Sequence, residues 1–366
     1  MRINRVMRIG GAAAVLAAVL LAGCGTAPLV TATNVTIPAP EPATSLAPPS
    51  GSPAPVVTSS DCLGSAPAMS PMPRPGHMPA GSTMAAIKKR GYLIAGVDQD
   101  SYDWGYPNPS LSPGPGRSYL GFDIDVLHAL AYAIFRNADD IHFVPVTQDF
   151  RMGAANQGIV DVVADSITIN CPRTYQVHFS IDYINAAQEL LVPRDNTTIA
   201  VTPDSRNVPH VNGLAGGKVC TVGTTTSVQN LTALAKADGF SVVLAGNWSD
   251  CLVLLQQGDV QAFSTDDTIL GGIEAEDPYL KLAGDPFSFE PHGLAFPLAD
   301  PYSTKDTEFI SFANGVLLGL ESHASGNCPE PRLSSDASCW AALYRTWVTA
   351  PLPRTTSQVP TPLFSG

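Results

Sequence analysis

The order of strand-like and helix-like segments predicts an α/β protein built as two lobes. Short apolar runs alternate with helical patterns over residues 92–180, which is the pattern of a largely parallel sheet covered by helices. The same alternation restarts at Lys218 and runs to Ala275. The chain has 366 residues, enough for about two domains with tails to spare.

Taken in order, the chain opens with Arg2, Arg5 and Arg8 before an apolar run, residues 12–22, that ends Leu21-Ala22-Gly23-Cys24. This reads as a secretory leader, residues 1–23. Its ending resembles a bacterial lipobox, which makes Cys24 the expected lipidation site and the mature N-terminus. The run is short of the ~20 apolar residues of a membrane span, and no later stretch is long enough. Residues 24–80 are rich in Pro, Ala and Ser. Such a composition cannot bury enough apolar surface to fold, so a tether on the order of 40 Å long is expected. The formal charge of −12, about −15 once the three leader arginines are lost (−12 minus 3), argues against nucleic acid as a partner. Hydrophobic content of 45% against 14% charged leaves ample material for a core.

Folded sequence is expected from Ser82, the N-cap of a helix Thr83–Arg90 that Gly91 stops. A strand, Tyr92–Val97, ends at Asp98. Residues 101–118 read as a loop whose Tyr102, Trp104 and Tyr106 are placed to wall a pocket or to form a surface patch. A helix Ile124–Phe135, a strand Ile141–Val146 and a short helix Phe150–Gln157 carrying Arg151 follow. Residues 159–180 then supply a buried strand (Ile159–Ala164), a polar loop (Asp165–Cys171) and a helix from Pro172. Ser166, Thr168 and Arg173 lie on or just after that loop. Two hydroxyls, a guanidinium fork and the first N–H groups of a helix are the parts that hold a carboxylate. A structural ion pair is the alternative for Arg173. Asp98, Arg151 and Ser166 all fall near the carboxyl ends of strands, where ligands sit in open α/β sheets.

The second pattern has strands at Ala187–Val192, Lys218–Val222, Val242–Ala245 and Val260–Ser264, with helices Val228–Ala237, Asp250–Gln257 and Thr268–Ala275 between and after them. Residues 193–203 read as a polar break. The hydroxyl-rich loop Gly223–Ser227 lacks the G-x-x-x-x-G-K pattern of a phosphate loop. Two strands are expected within Leu282–Phe296 with Glu290-Pro291 between them, then a helix Asp306–Leu320 and an amphipathic piece Ser338–Trp347.

With Cys24 assigned to lipid, six of the seven cysteines remain in an exported chain, which favours disulfides. Cys328–Cys339 would close a local loop, Cys220 and Cys251 fall in one lobe, and Cys62–Cys171 is left by elimination; the sequence leaves the pairing open. No C-x-x-C and no clustered His supports a metal site, and no cofactor is expected.

Together these segments resemble solute-binding protein family 3, the periplasmic or lipid-anchored amino-acid receptors of ABC importers. The resemblance covers about residues 83–350. It rests on Lys89-Arg90-Gly91, Gly121-Phe122-Asp123-Ile124-Asp125-Val126, Arg151 with Gly158-Ile159-Val160-Asp161, and Ser166-Ile167-Thr168 followed by Arg173 and Phe179-Ser180. In the second lobe it rests on Lys218-Val219-Cys220, Thr225-Thr226-Ser227, Gly258 with Thr265-Asp266-Asp267, and Glu290-Pro291-His292-Gly293. The lipobox and cysteine placement look most like the actinobacterial glutamate/glutamine-binding lipoproteins. The resemblance implies a type II periplasmic-binding-protein fold: two α/β lobes joined by two crossover strands, lobe 1 at 83–191 plus 294–350, lobe 2 at 192–293, and a coil tail at 351–366.

Carried over residue by residue, it implies that Arg173 pairs the α-carboxylate of an amino acid with help from Thr168 and from Thr225 or Thr226. Asp266 would accept the α-ammonium, and Asp98 would line the cleft. Arg151 and Ser166 would favour an acidic side chain, glutamate or aspartate, over asparagine or glutamine. Trp248 is a further candidate. Two departures are visible: Gly223 stands one place before the expected glycine, with Thr224 in its position, and Cys171 stands where the family often has Pro. The expected protein is a monomeric, non-enzymatic receptor anchored on the outer face of the membrane, handing ligand to an ABC permease or a membrane sensor. A dehydratase-type enzyme on the same fold is the remote rival, with Asp98 and His292 as its only candidate acid or base groups.

Overall fold

The computed structural model describes residues 66–110, 114–302, 307–322 and 338–348. The leader, Cys24, Cys62, Cys328 and the tail 351–366 lie outside the described residues.

Residues 66–80 belong to the fold and not to the tether expected there. Ala66, Met69, Met72 and Met78 pack on the first core, and the Met69 N–H donates to Ser311 O at 2.7 Å. Three flexible thioethers among the prolines give this stretch an apolar face to bury. The contact is close: a Cβ on Gly315 would lie 2.2 Å from Met72 Sδ.

The first lobe opens with α1 (Thr83–Arg90), whose Ser82 cap accepts from the Ala85 N–H at 3.1 Å and whose end is Gly91 at φ 101°. Next come β1 (Leu93–Val97), a small hairpin of β2 (Tyr106–Pro107) and β3 (Tyr119–Leu120), α2 (Phe122–Phe135), β4 (Ile141–Pro145), α3 (Arg151–Asn156), β5 (Val162–Ala164) and a single turn, α4 (Cys171–Thr174). The strand expected from Ile159 starts three residues late. Ile159 and Val160 bond back to Ala154 O and finish the turn after α3, which leaves Ile159 42% exposed. A long strand, β6 (His178–Ala186), follows where the sequence reading placed no strand.

The second lobe holds β7 (Gln188–Pro193), a hairpin of β8 (Ala200–Pro203) and β9 (Pro209–Asn212) within the expected polar break, β10 (Lys218–Val222), α5 (Thr226–Asp238), β11 (Ser241–Ala245), α6 (Trp248–Gln257), β12 (Ala262–Asp266), α7 (Asp267–Glu276) and β13 (Leu280–Leu282). The chain returns through β14 (Glu290–Phe296) to α8 (Glu308–Ser322) and α9 (Cys339–Trp347). Glu290-Pro291 thus begins a strand and does not separate two.

One sheet runs β4-β1-β5-β14-β6 and the other β11-β10-β12-β7-β13. In each, three parallel strands (β4-β1-β5; β11-β10-β12) meet antiparallel partners. The chain changes sheet at Ala187 and again before Glu290, so β7 and β14 each belong wholly to one sheet. Each sheet is buried on both faces, by two apolar clusters in the first lobe and two in the second. This explains why strands such as Leu93–Val97 read as continuous apolar runs. A disulfide, Cys220–Cys251, ties β10 to α6; Cys171 and Cys339 are also disulfide-bonded.

Candidate functional site

The parallel strands of both sheets end at one cleft. The carboxyl ends of β1, β4 and β5 present Asp98, Arg151 on α3, and Asp165 with Ser166. Those of β10 and β12 present Thr225, Thr226 and Asp266. Loops from the two lobes touch there. Thr168 Oγ1 is 3.3 Å from Thr226 Oγ1, His292 Nε2 is 2.9 Å from Asp266 Oδ2, and Asn230 Nδ2 donates to Glu290 Oε1 at 2.8 Å.

Arg173 is 5% exposed. Its guanidinium donates from Nη1 to Thr168 O at 2.8 Å and makes no ion pair among the described residues. Burial, and then the nearby Arg151 charge, push its pKa down to about 9, while Glu290, Asp266 and Asp165 pull the other way. A buried cation without an ion pair is costly, so this group is set to gain from an anion. The expected help from helical N–H groups is not there: α4 is one turn long, and Asn170 Oδ1 accepts the Arg173 N–H at 3.0 Å. Across the cleft, Asp266 is 4% exposed; His292 holds Oδ2, and Oδ1 has no hydrogen-bond partner. A cationic group without an ion pair and a carboxylate oxygen without a hydrogen bond, among the described residues, thus stand on opposite lobes, an arrangement complementary to a zwitterion.

Arg151 stands differently. It is 3% exposed, with Nη1 3.4 Å from Asp165 Oδ2 and donating to Asp165 O at 2.8 Å. Asp165 thus supplies an anion for Arg151 within the protein. Asp165 was missed in the sequence. Its signal was a carboxylate placed directly at the carboxyl end of a buried strand. Ser166 takes a left-handed backbone at φ 43°, donates its N–H to Asp123 Oδ2 at 2.7 Å and turns its hydroxyl toward the same oxygen at 3.4 Å. Asp123 also accepts from Tyr183 Oη at 2.7 Å, and burial raises its pKa.

The remaining candidates divide. Asp98 accepts from the Gln99 and Asp100 N–H groups and from Ser101 Oγ; burial, and then Asp165, raise its pKa to about 7. Thr225 turns inward, donating to Val222 O at 2.8 Å, which leaves Thr226 as the hydroxyl facing Thr168. Trp248 packs in the second-lobe core beside Phe263, with its N–H unpartnered. Trp104, expected to wall a pocket or sit on the surface, is 1% exposed and crosses to the other lobe, donating to Thr268 O at 2.8 Å. His292 and Asp98, the acid and base candidates of the enzyme reading, are both engaged in these fixed bonds. A shallow surface pocket lined by residues such as Thr83, Asp161, Phe296 and Tyr302 shares no residue with the cleft.

The family model of bacterial extracellular solute-binding proteins, family 3, matches residues 93–324. The ABC transporter glutamine-binding protein of Bacillus subtilis (strain 168) is 32% identical over 214 residues, 58% of this chain and 72% of that protein. The L-glutamate/L-aspartate-binding protein of Pseudomonas aeruginosa is 24% identical over 281 residues, 74% of this chain and 81% of that protein. Among solved structures, the solute receptor for L-cysteine of Neisseria gonorrhoeae superposes with a TM-score of 0.58 at 18% identity, covering 75% of this chain and 97% of that one. That likeness concerns the fold.

Proposed function

The chain belongs to the bacterial extracellular solute-binding proteins of family 3, and on that footing we propose that it captures a free α-amino acid in the cleft and delivers it to an ABC importer. The observation that carries this is the pairing of Arg173 with Asp266. A buried guanidinium without an ion pair on one lobe faces a carboxylate oxygen without a partner on the other. The α-carboxylate would sit on Arg173 with Thr168 and Thr226 beside it, and the α-ammonium on Asp266. Ligand bridging of the lobes gives closure its driving force.

Arg151, Ser166 and Asp98 line the side-chain end, which suits a ligand ending in a carboxylate or carboxamide: glutamate, aspartate, glutamine or asparagine. The names of the B. subtilis and P. aeruginosa relatives fit this range. The chain is a binding protein and not an enzyme. A lipid on Cys24 would hold it at the outer face of the membrane, on a tether that joins the fold at Ala66.

Calorimetric titration of the purified chain with these four amino acids tests the reading. At least one should bind with one-to-one stoichiometry, and Arg173→Ala should weaken its binding by about a hundredfold or more. Failure of every standard L-amino acid to bind the folded chain would refute it.

A further inference from the structure

The lobes also meet away from the candidate ligand groups, along one face of α7. Trp104 Nε1 donates to Thr268 O at 2.8 Å, and a Cβ on Gly272 would lie 2.2 Å from Tyr102 O. Thr268, Gly272 and Glu276 are spaced four apart, so they stack on the helix face that loop 100–105 covers. Beside them, Asp100 Oδ2 accepts the Ser249 N–H at 2.8 Å. Asn247, the N-cap of α6, makes no side-chain cap bond, so a carboxylate of the first lobe caps a helix of the second.

Asp103 stands between the two contact residues Tyr102 and Trp104. It is half-buried, at a left-handed φ of 65°, and its carbonyl accepts the Phe122 N–H at 2.9 Å. Its side chain, like that of Glu276, has no hydrogen bond and no ion pair among the described residues. Burial, and then the Glu276 charge, raise the Asp103 pKa to about 6. Partial burial, and then Asp100, raise that of Glu276, which keeps an exposed side. The surrounding groups bring no relief. Tyr102 and Tyr106 lie on the side of the loop and of β2. On α7, Glu274 is paired with Arg194 at 2.8 Å, and Asp277 accepts from Gln256 at 2.9 Å. On α6, Asp250 accepts from Asn247 Nδ2 at 3.5 Å. The seam thus sets acid against acid across the two lobes. Separating the lobes returns water to these carboxylates and distance to their charges, so the joined arrangement binds protons more tightly than the separated one.

We propose that Asp103 and Glu276 form a proton-linked gate on lobe closure, which favours the closed protein in acid over neutral solution. At pH 7.5 Asp103 is ionised and opposes closure. As pH falls through about 6 it takes up a proton and the opposition is removed. The cleft acids titrate as well, but they do so equally in proteins that differ only at the seam.

The test is calorimetry on the full chain at pH 7.5 and pH 5 with L-glutamine, L-asparagine, L-glutamate and L-aspartate. The proteins are the native chain, Asp103→Asn, Glu276→Gln and Gly272→Ala, with small-angle scattering of each ligand-free protein at both pH values. Asn suits a left-handed position as Asp does, so Asp103→Asn keeps the loop and fixes the neutral form. It should bind about fivefold tighter than the native protein at pH 7.5 and no tighter at pH 5, so that the ratio of the two affinities drops by about fivefold. Glu276→Gln should move that ratio the same way by about twofold, because its exposed side is screened. Gly272→Ala, which props the seam apart, should weaken binding and lose the seam's share of the pH dependence. The ligand-free radius of gyration at pH 7.5 should be smaller in Asp103→Asn than in the native protein. A ratio in Asp103→Asn equal to the native one overturns the proposal. If Asp103→Asn does not fold, an unchanged ratio in Glu276→Gln overturns it. If none of the four amino acids binds, the ligand reading above fails and scattering decides the gate alone: equal radii for the native protein and the neutral variants overturn it.

Discussion

Arg173 and Arg151 are both buried guanidiniums at one cleft, and their partners separate their roles. Arg151 has an internal carboxylate 3.4 Å away, whereas Arg173 has a carbonyl. The sequence made both candidates, because an arginine near the carboxyl end of a strand is visible in one dimension. It could not show which one had a private counter-ion, since Asp165 lies fourteen positions from Arg151 and meets it only through the packing of α3 on β5. Acidity follows from the same burial. Asp98 is raised to about 7, above its unfolded value near 4. Between those values the folded state holds a proton that the unfolded chain has released, so this group's contribution to stability falls as pH rises through that window and grows as pH is lowered. Thermal unfolding of the ligand-free protein should therefore show a melting temperature that increases from pH 7.5 toward about pH 5, and Asp98→Asn should flatten the rise. A native profile that falls monotonically over that range and matches Asp98→Asn would contradict the assignment.

At the scale of elements, the legible parts were those with a local cause. Ser82 and Gly91 bound α1 as their capping chemistry requires, and the strands that feed the cleft announced themselves as apolar runs. What stayed hidden was β6, whose residues His178–Ala186 are nearly all buried on both faces, together with the one-turn length of α4. Neither has a periodicity that distinguishes it. The loop after β10 shows a local conflict. Its left-handed position, φ 62°, falls on Thr224 and not on Gly223, and a β-branched residue there is strained by about 1–3 kcal/mol. Thr224→Gly should accordingly stabilise the fold by roughly 1 kcal/mol in denaturant unfolding. A loss of stability on that change would mean that the loop is held in its conformation at no cost.

At the scale of the molecule, the two lobes are stitched by the loop after β1 as well as by the candidate ligand groups. Asp100 Oδ2 accepts from the Ser249 N–H and Trp104 Nε1 donates to Thr268 O, each at 2.8 Å, and a Cβ on Gly272 would lie 2.2 Å from Tyr102 O. These contacts cross between the lobes without involving the candidate ligand groups. Trp104→Phe removes one of them, worth about 1 kcal/mol. It should weaken ligand affinity by roughly fivefold through the closure equilibrium and enlarge the ligand-free radius of gyration in small-angle scattering. An unchanged affinity with an unchanged radius would mean that Trp104 serves packing alone. The proposed clamp holds a zwitterion between Arg173 of one lobe and Asp266 of the other. The most direct measurement is calorimetric titration of the native protein with its tightest amino acid and with two derivatives of it, the α-methyl ester and the N-acetyl form, repeated on Arg173→Ala and Asp266→Asn. Each derivative and each variant should lose affinity by about a hundredfold or more, and the ester should cost nothing further in Arg173→Ala because the interaction is already gone. Native-like binding of the ester, or an ester penalty that persists undiminished in Arg173→Ala, would contradict the clamp.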